Sequence, residues 1–245
     1  MPGWSARPIW HGWPEPAGPV TRAGWPAEPC RVLACRSVRV VSWNVRSLRD
    51  GRRAVGDTLR RLEPDVVVLQ EAPRLVLWRL SRRLRARRAG LRVATRDRAA
   101  CNLVLARVEV ERSWAQSFAR SEGLHRRGTA GVVVRLDGRP LAVAGTHLDL
   151  EPAARVRTAR AVRALAPDLP LVLGADVNEL PGGDAWSVLA AGLVDTGAQP
   201  TFPARAAARR IDLLAASPCL SVTLQVHETS ASDHLVLIAD VSWSP

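Results

Sequence analysis

The sequence predicts a single α/β domain in which two mixed β-sheets pack face to face with helices outside. Three observations lead there. The stretch after Val38 is regular and strand-dense, with short runs rich in valine and leucine. Helix-like segments fall in two places, each flanked by strand-like runs, as in α/β domains. Apolar residues make up 47% of the 245, enough for one large core.

Taken in order, "VRVVSWNV" (38–45) reads as a β-branched strand and "RRAVGDTLRRLEP" (52–64) as a helix stopped by Pro64. "DVVVLQE" (65–71) reads as a buried strand. In "PRLVLWRLSRRLRARRAG" (73–90), Pro73 would open and Gly90 close a helix whose stripe is Leu77, Leu80 and Leu84. Arg79, Arg82, Arg83 and Arg87 lie largely off that stripe, as a solvated face does. Strands follow at 91–95, 102–110, 130–136 and 141–148, the last two joined by a turn at "DGR" (137–139). "EPAARVRTARAVRALA" (151–166) reads as a helix leading into the strand "LPLVLGAD" (169–176). A short helix near 184–191 and strands near 210–215, 219–226 and 235–243 complete the chain.

Residues 1–36 differ from the domain at 37–245. Seven of the 18 prolines and four of the nine tryptophans fall in the first 29 positions, without periodicity, so a disordered tail is expected. The formal net charge is +12, and with no lysine present the positive charge is all arginine. That excess favours polyanionic partners, nucleic acid above all, with phosphorylated small molecules or lipid headgroups as the alternative. Lys and Tyr are absent while Arg, Ala, Pro and Gly abound, as a GC-rich coding sequence produces, so part of the charge is compositional. Cys30, Cys35, Cys101 and Cys219 match no zinc or redox spacing. No apolar run is long enough to span a membrane, and the start lacks the layout of a secretory signal, so a cytoplasmic monomer is expected.

The ends of the strands carry the chemistry. Asn44 closes "VVSWN", Glu71 closes "DVVVLQE" and His147 closes "LAVAGTH". Asp176 and Asn178 close "LVLGADVN", Asp212 lies in "RRIDLL", and Asp233 and His234 open "SDHLVLIADV". Singly, each has an ordinary structural explanation: turn residue, first-turn acid, ion-pair partner, buried histidine. Asp176 and Asn178 would share one face of an extended chain, or would form an Asx turn before Pro181. Six such coincidences along what reads as the rim of one core are much less probable than any one of them.

The ordered set "SWNV", "LQE", "GTHLD", "GADVNE", "RIDLL" and "SDHLVLIADV", with "NLVLAR" (102–107) between, resembles the endonuclease/exonuclease/phosphatase family over residues 38–243. Members include DNase I-like nucleases, exonuclease III-like repair enzymes, neutral sphingomyelinases and inositol polyphosphate 5-phosphatases. The resemblance implies a four-layer α/β sandwich and hydrolysis of phosphoester bonds with Mg²⁺ or Mn²⁺, hard ions that take oxygen ligands. It implies metal binding by Glu71 with Asn44 beside it and Asp233 completing the metal side. Asp176 would orient or deprotonate the attacking water, and Asn178 would hold the phosphate. Asp212 would fix and polarise His234, and His147 would contact the phosphate or protonate the leaving group. The chain departs from the repair-enzyme branch in having Arg46 where that branch has an acid, and in lacking tyrosine altogether. His147 in "GTHLD" is more similar to the DNase I and sphingomyelinase branches. A nuclease is the first expectation and a phosphatase or sphingomyelinase-type phosphodiesterase the second. A non-enzymatic binding protein on the same fold would not need the full set of acids and histidines.

Overall fold

The structure, a computed structural model, describes residues 37–73, 87–94, 100–119, 123–124 and 126–245. The tail expected over 1–36 and most of the helix expected over 73–90 lie outside these residues.

Among the described residues eleven strands form two sheets. The six-stranded sheet runs β10(Leu220–His227), β11(Val236–Trp243), β1(Val38–Asn44), β2(Val66–Pro73), β4(Ala100–Ala106), β3(Arg87–Ala94). The five-stranded sheet runs β5(Val110–Ser117), β6(Gly128–Leu136), β7(Arg139–His147), β8(Leu171–Asp176), β9(Asp212–Ala216). Each sheet holds one parallel pair, β1 with β2 and β7 with β8, and the remaining pairs are antiparallel. A parallel pair needs a crossover. Helix α1(Arg52–Leu62) supplies it between β1 and β2, and α2(Pro152–Leu165) between β7 and β8. A short α3(Asp184–Ala190) follows β8.

Three buried clusters mark three interfaces, which makes four layers. Val55 and Leu59 of α1 pack on Val41, Trp43, Val67 and Leu69. Ala159 and Val162 of α2, with Trp186 and Leu189 of α3, pack on Ala142, Leu171, Leu173 and Leu213. Between the sheets Val38, Val40, Val66 and Val68 meet Val132, Val143, Val172 and Leu214. The alternation is that of strands buried on both faces. It is the inter-sheet face that matters for function, because its apolar residues give way to polar ones toward one rim. Val38 and Val40 are followed by Ser42 and Asn44, Val172 and Gly174 by Asp176, Leu141 and Val143 by Gly145 and His147. Just inside that rim Gly145 and Gly174 are paired across β7 and β8. A Cβ on Gly145 would collide with Val68, and one on Gly174 with Ser42, so the two glycines let the sheets close tightly beneath the site.

The structure corrects two sequence expectations. Pro73 ends β2, in register with Ala100, instead of opening a helix, and residues 87–90 belong to β3. Pairing with β4 outweighs the helical preference of an arginine- and alanine-rich run. The expected strand 102–110 is two strands, since the chain leaves the larger sheet after β4 and enters the smaller one at β5. Among the described residues no helix is long and apolar enough to cross a membrane.

Candidate active site

Both parallel pairs end on the same rim. Adjacent strands place His147, Asp176 and Asp212 side by side, in register across β7, β8 and β9. Facing them across the seam, the pairing of β1 with β2 ends at Asn44 and Gln70, also in register. Loops beyond the carboxyl ends of parallel strands are the usual ligand position in α/β folds.

Strict alternation would send Glu71 to the helix side. A register shift between Leu69 and Ala72, with Glu71 at φ +54°, turns it back toward the seam. Of the seven described residues other than glycine with positive φ, five sit at this site: Arg46, Ser47, Leu48 and Asn178 beyond the strand ends, and Glu71 in the bulge of β2. Such backbone is costly and persists where surrounding contacts over-determine it. Asn178 (φ +54°) illustrates this, because its N–H donates to Asp176 Oδ1 at 3.1 Å in an Asx turn. The turn carries the Asn178 carboxamide to Leu148 O (3.0 Å) and to within 3.1 Å of His147 Nε2.

Asp176 is the hub. It is 1% exposed and accepts from Asn44 Nδ2 at 2.8 Å, with His147 Nε2 at 3.3 Å and His234 Nε2 at 3.8 Å. Burial pushes its carboxyl up to about 6, with the Asp212 charge adding to the rise and His234 opposing it. On the far side of His234, Asp212 accepts from Nδ1 at 2.9 Å. Burial works against a charged His234, yet Asp212 and Asp176 outweigh it and hold the imidazole up to about 9. The loop carrying His234 is fixed from two directions. Ser232 Oγ donates to Asn44 O at 2.7 Å and Trp43 Nε1 to His234 O at 3.0 Å, while the Phe202 ring lies 4.9 Å from the imidazole.

Glu71 is half-buried and makes only long contacts, to Asn44 Nδ2 and Ser47 Oγ, each at 3.5 Å. Asn44 Oδ1 accepts from Arg46 N–H at 2.9 Å, so its amide group spans Glu71 and Asp176. Asp233 is engaged differently from the other acids, by Arg46 Nε at 3.3 Å, with Arg46 also 3.2 Å from Asp50. All eight sequence-predicted residues thus lie on one rim, with Asp233 at its flank.

Two positions could hold a cation. Asp176, Asp212 and His234 place one ligand atom each within 4.8 Å of one another. A histidine held protonated by Asp212, however, has no lone pair to give, which suits an acid–base group better than a metal centre. Glu71, a carboxylate with only long contacts beside a carboxamide, suits a hard divalent ion that keeps several waters. The charge balance also fits. Glu71, Asp149 and Asp176 act on the buried Arg127, and Asp212, Asp176 and Asp233 on His234, so even with Arg46 counted the acids outnumber the cations at this rim, as suits a divalent cation.

Arg127, Phe202 and Ser232 are members that sequence reasoning missed. Arg127 follows another arginine in an arginine-rich chain and looks like surface charge. Phe202 and Ser232 carried one available signal, the loop "PTFP" ahead of "RIDLL" and the serine directly before Asp233.

A two-sheet α/β sandwich with an acid–histidine cluster where the seam opens defines a DNase I-like fold. The chain belongs to the endonuclease/exonuclease/phosphatase family, whose model matches residues 41–234. No curated protein matches the chain. Solved structures share the fold at low identity. One is an endonuclease/exonuclease/phosphatase from Beutenbergia cavernae (24% identity, TM-score 0.70, covering 86% of this chain and 72% of that one). Another is a mannosyl-6-phosphatase from Bacteroides thetaiotaomicron (15%, 0.70, 84% and 100%). A third is D. rerio TDP2 complexed with single strand DNA product (20%, 0.67, 84% and 99%). Members of the family are phosphoesterase hydrolases.

Proposed function

We propose that this protein is a divalent-metal-dependent phosphodiesterase that cleaves nucleic acid. The observation that carries the reading is the relay Asp212–His234–Asp176–Asn44–Glu71, which spans the seam from one sheet to the other. Glu71, with Asn44 beside it, would hold Mg²⁺ or Mn²⁺, which when bound supplies positive charge for the phosphoryl oxygens. Asp176, whose carboxyl is poised near neutral pH, takes a proton from a water lying between it and the phosphate. The water oxygen bonds to phosphorus, and the bond to the leaving oxygen breaks. His234, held cationic by Asp212, donates to a phosphoryl oxygen where negative charge develops. Asn178 holds the phosphate, and His147, whose Nε2 lies 3.3 Å from Asp176, passes the proton that Asp176 has taken on to the leaving oxygen. Asp233 would reach the metal only by giving up Arg46, so it stands at the flank of that side.

The net charge of +12 favours a polyanionic polymer over a small ester. A phosphatase on sugar phosphates is the second reading, supported by the mannosyl-6-phosphatase among the fold's neighbours. The test is cleavage of supercoiled plasmid, linear duplex and single-stranded RNA with Mg²⁺ or Mn²⁺, against EDTA and His234→Ala. Metal- and His234-dependent cutting that weakens steeply with salt is expected. Intact polymers beside rapid, salt-insensitive hydrolysis of a sugar phosphate would move the assignment to the second reading.

A further inference from the structure

Arg46 holds two acids that belong to different loops. Its Nε lies 3.3 Å from Asp233 Oδ2, in the loop before β11, and its Nη1 donates to the Asp50 carboxylate at 3.2 and 3.3 Å, in its own loop between β1 and α1. The backbone beneath the side chain is fixed as well. Arg46 N–H donates to Asn44 Oδ1 at 2.9 Å, and residues 46–48 form a left-handed turn, each with positive φ. Asp233 is held from its own side, where its carbonyl accepts from Ala204 N–H at 2.7 Å and its Oδ1 lies 3.4 Å from Ser232 Oγ. Ser47, the next residue of the turn, reaches Glu71 only at 3.5 Å. The Arg46 side chain is 43% exposed, and ion pairs of that kind add little to stability, so stability does not account for three strained residues spent on placing one. What the arrangement does change is charge. On the side of the site where Glu71 suits a hard cation, the carboxylate of Asp233 is already neutralised by the chain itself.

We infer that Arg46 limits this centre to a single divalent ion: its guanidinium takes the place of a cation at Asp233, so that the one ion is held from Glu71 and Asn44 and Asp233 is not among its ligands. The inference rests on the metal-dependent phosphoesterase reading and adds to it the ion count and the residue that sets it. Arginine suits the task because it stays protonated at any working pH and its fork meets carboxylates on two sides. A divalent ion could reach Asp233 only by displacing a guanidinium that two acids hold at once. Hard ions bind oxygen ligands whose charge is not already compensated. Reversing the charge at position 46 would therefore turn Asp50 and Asp233 from partners of an arginine into ligands for a second ion.

The test uses the full-length protein and Mn²⁺ alone, with bound ion counted by electron paramagnetic resonance and folding checked by circular dichroism. One Mn²⁺ per chain is expected for the wild type and for Asp233→Asn. Arg46→Asp is expected to double that count below about 1 mM free ion, with the line broadening that two neighbouring Mn²⁺ ions produce, and to return to one when Asp233→Asn is added. Where Arg46→Asp unfolds, Arg46→Ala, which frees both acids without adding another, decides in its place and is expected to take up the second ion more weakly. Two Mn²⁺ in the wild type, an Asp233→Asn protein that no longer binds Mn²⁺, or a single Mn²⁺ in the deciding Arg46 variant would overturn the assignment. A wild type that binds no Mn²⁺ would instead overturn the metal-dependent reading underneath it.

Discussion

Replacing Asp212 by Asn removes the carboxylate that accepts from His234 Nδ1 at 2.9 Å while keeping the shape of the site. In the wild type, burial opposes the imidazolium, but Asp212 and Asp176 raise its proton affinity from an ordinary 6.5 to about 9. A rise of two to three units, at about 1.4 kcal/mol each, corresponds to roughly 3 kcal/mol. Because the raised group is a base, that stabilisation is fully present below pH 6.5 and is lost as the pH climbs through about 9. The Asn variant should therefore be less stable than wild type by roughly 2–3 kcal/mol at pH 6, with the gap narrowing above pH 9. Its His234 should titrate at or below the ordinary value, and turnover should fall by about 10²-fold or more. Urea unfolding at several pH values and a histidine NMR titration measure these quantities. A His234 that still titrates near 9 without Asp212, or equal stabilities at pH 6, would refute the reasoning.

Other perturbations separate the parts of the site. Glu71→Gln should abolish metal-dependent turnover yet leave apo-protein stability within about 1 kcal/mol, since the half-buried Glu71 has only long contacts to lose. Mg²⁺ should raise the melting temperature of wild type but not of this variant, as a ligand of the native state alone requires. Gly145→Ala drives a methyl group into Val68 between the sheets, and overpacking of this kind should cost about 1–3 kcal/mol by chemical denaturation. In the metal-loaded enzyme kcat/KM should rise as Asp176 ionises, at or below pH 6, and fall as His234 loses its proton near 9. Asp212→Asn should move the alkaline limb downward. A profile flat from pH 5 to 10 would contradict both assignments.

Much of the site was legible because it follows from period-two geometry. Asn44, His147, Asp176 and Asp212 continue the inter-sheet faces of their strands, so reading the strands correctly locates the residues. Glu71 sits at a strand end in the sequence, but its orientation depends on a bulge that no alternation pattern reveals. Asp233 was expected at the metal, and its capture by Arg46 depends on three consecutive left-handed residues after Val45. The same limits hold for the fold. β3 hides in an arginine-rich run whose composition favours helix, and its pairing with β4 is set by tertiary structure. β5 is an edge strand of half-buried and exposed residues without clean alternation, so it carries no periodic signal. Arg127 was invisible for another reason: among so many arginines, a buried one stands out only in three dimensions.

The central claim is that Asp176 and a divalent ion held by Glu71 together hydrolyse phosphodiesters. It is tested most directly by hydrolysis of bis(4-nitrophenyl) phosphate with Mg²⁺ or Mn²⁺, before and after EDTA, in wild type and Asp176→Asn. The account expects turnover that EDTA abolishes, that added metal restores, and that falls by about 10²-fold or more in the variant. Hydrolysis that persists in EDTA, or an Asp176→Asn protein as active as wild type, would contradict it.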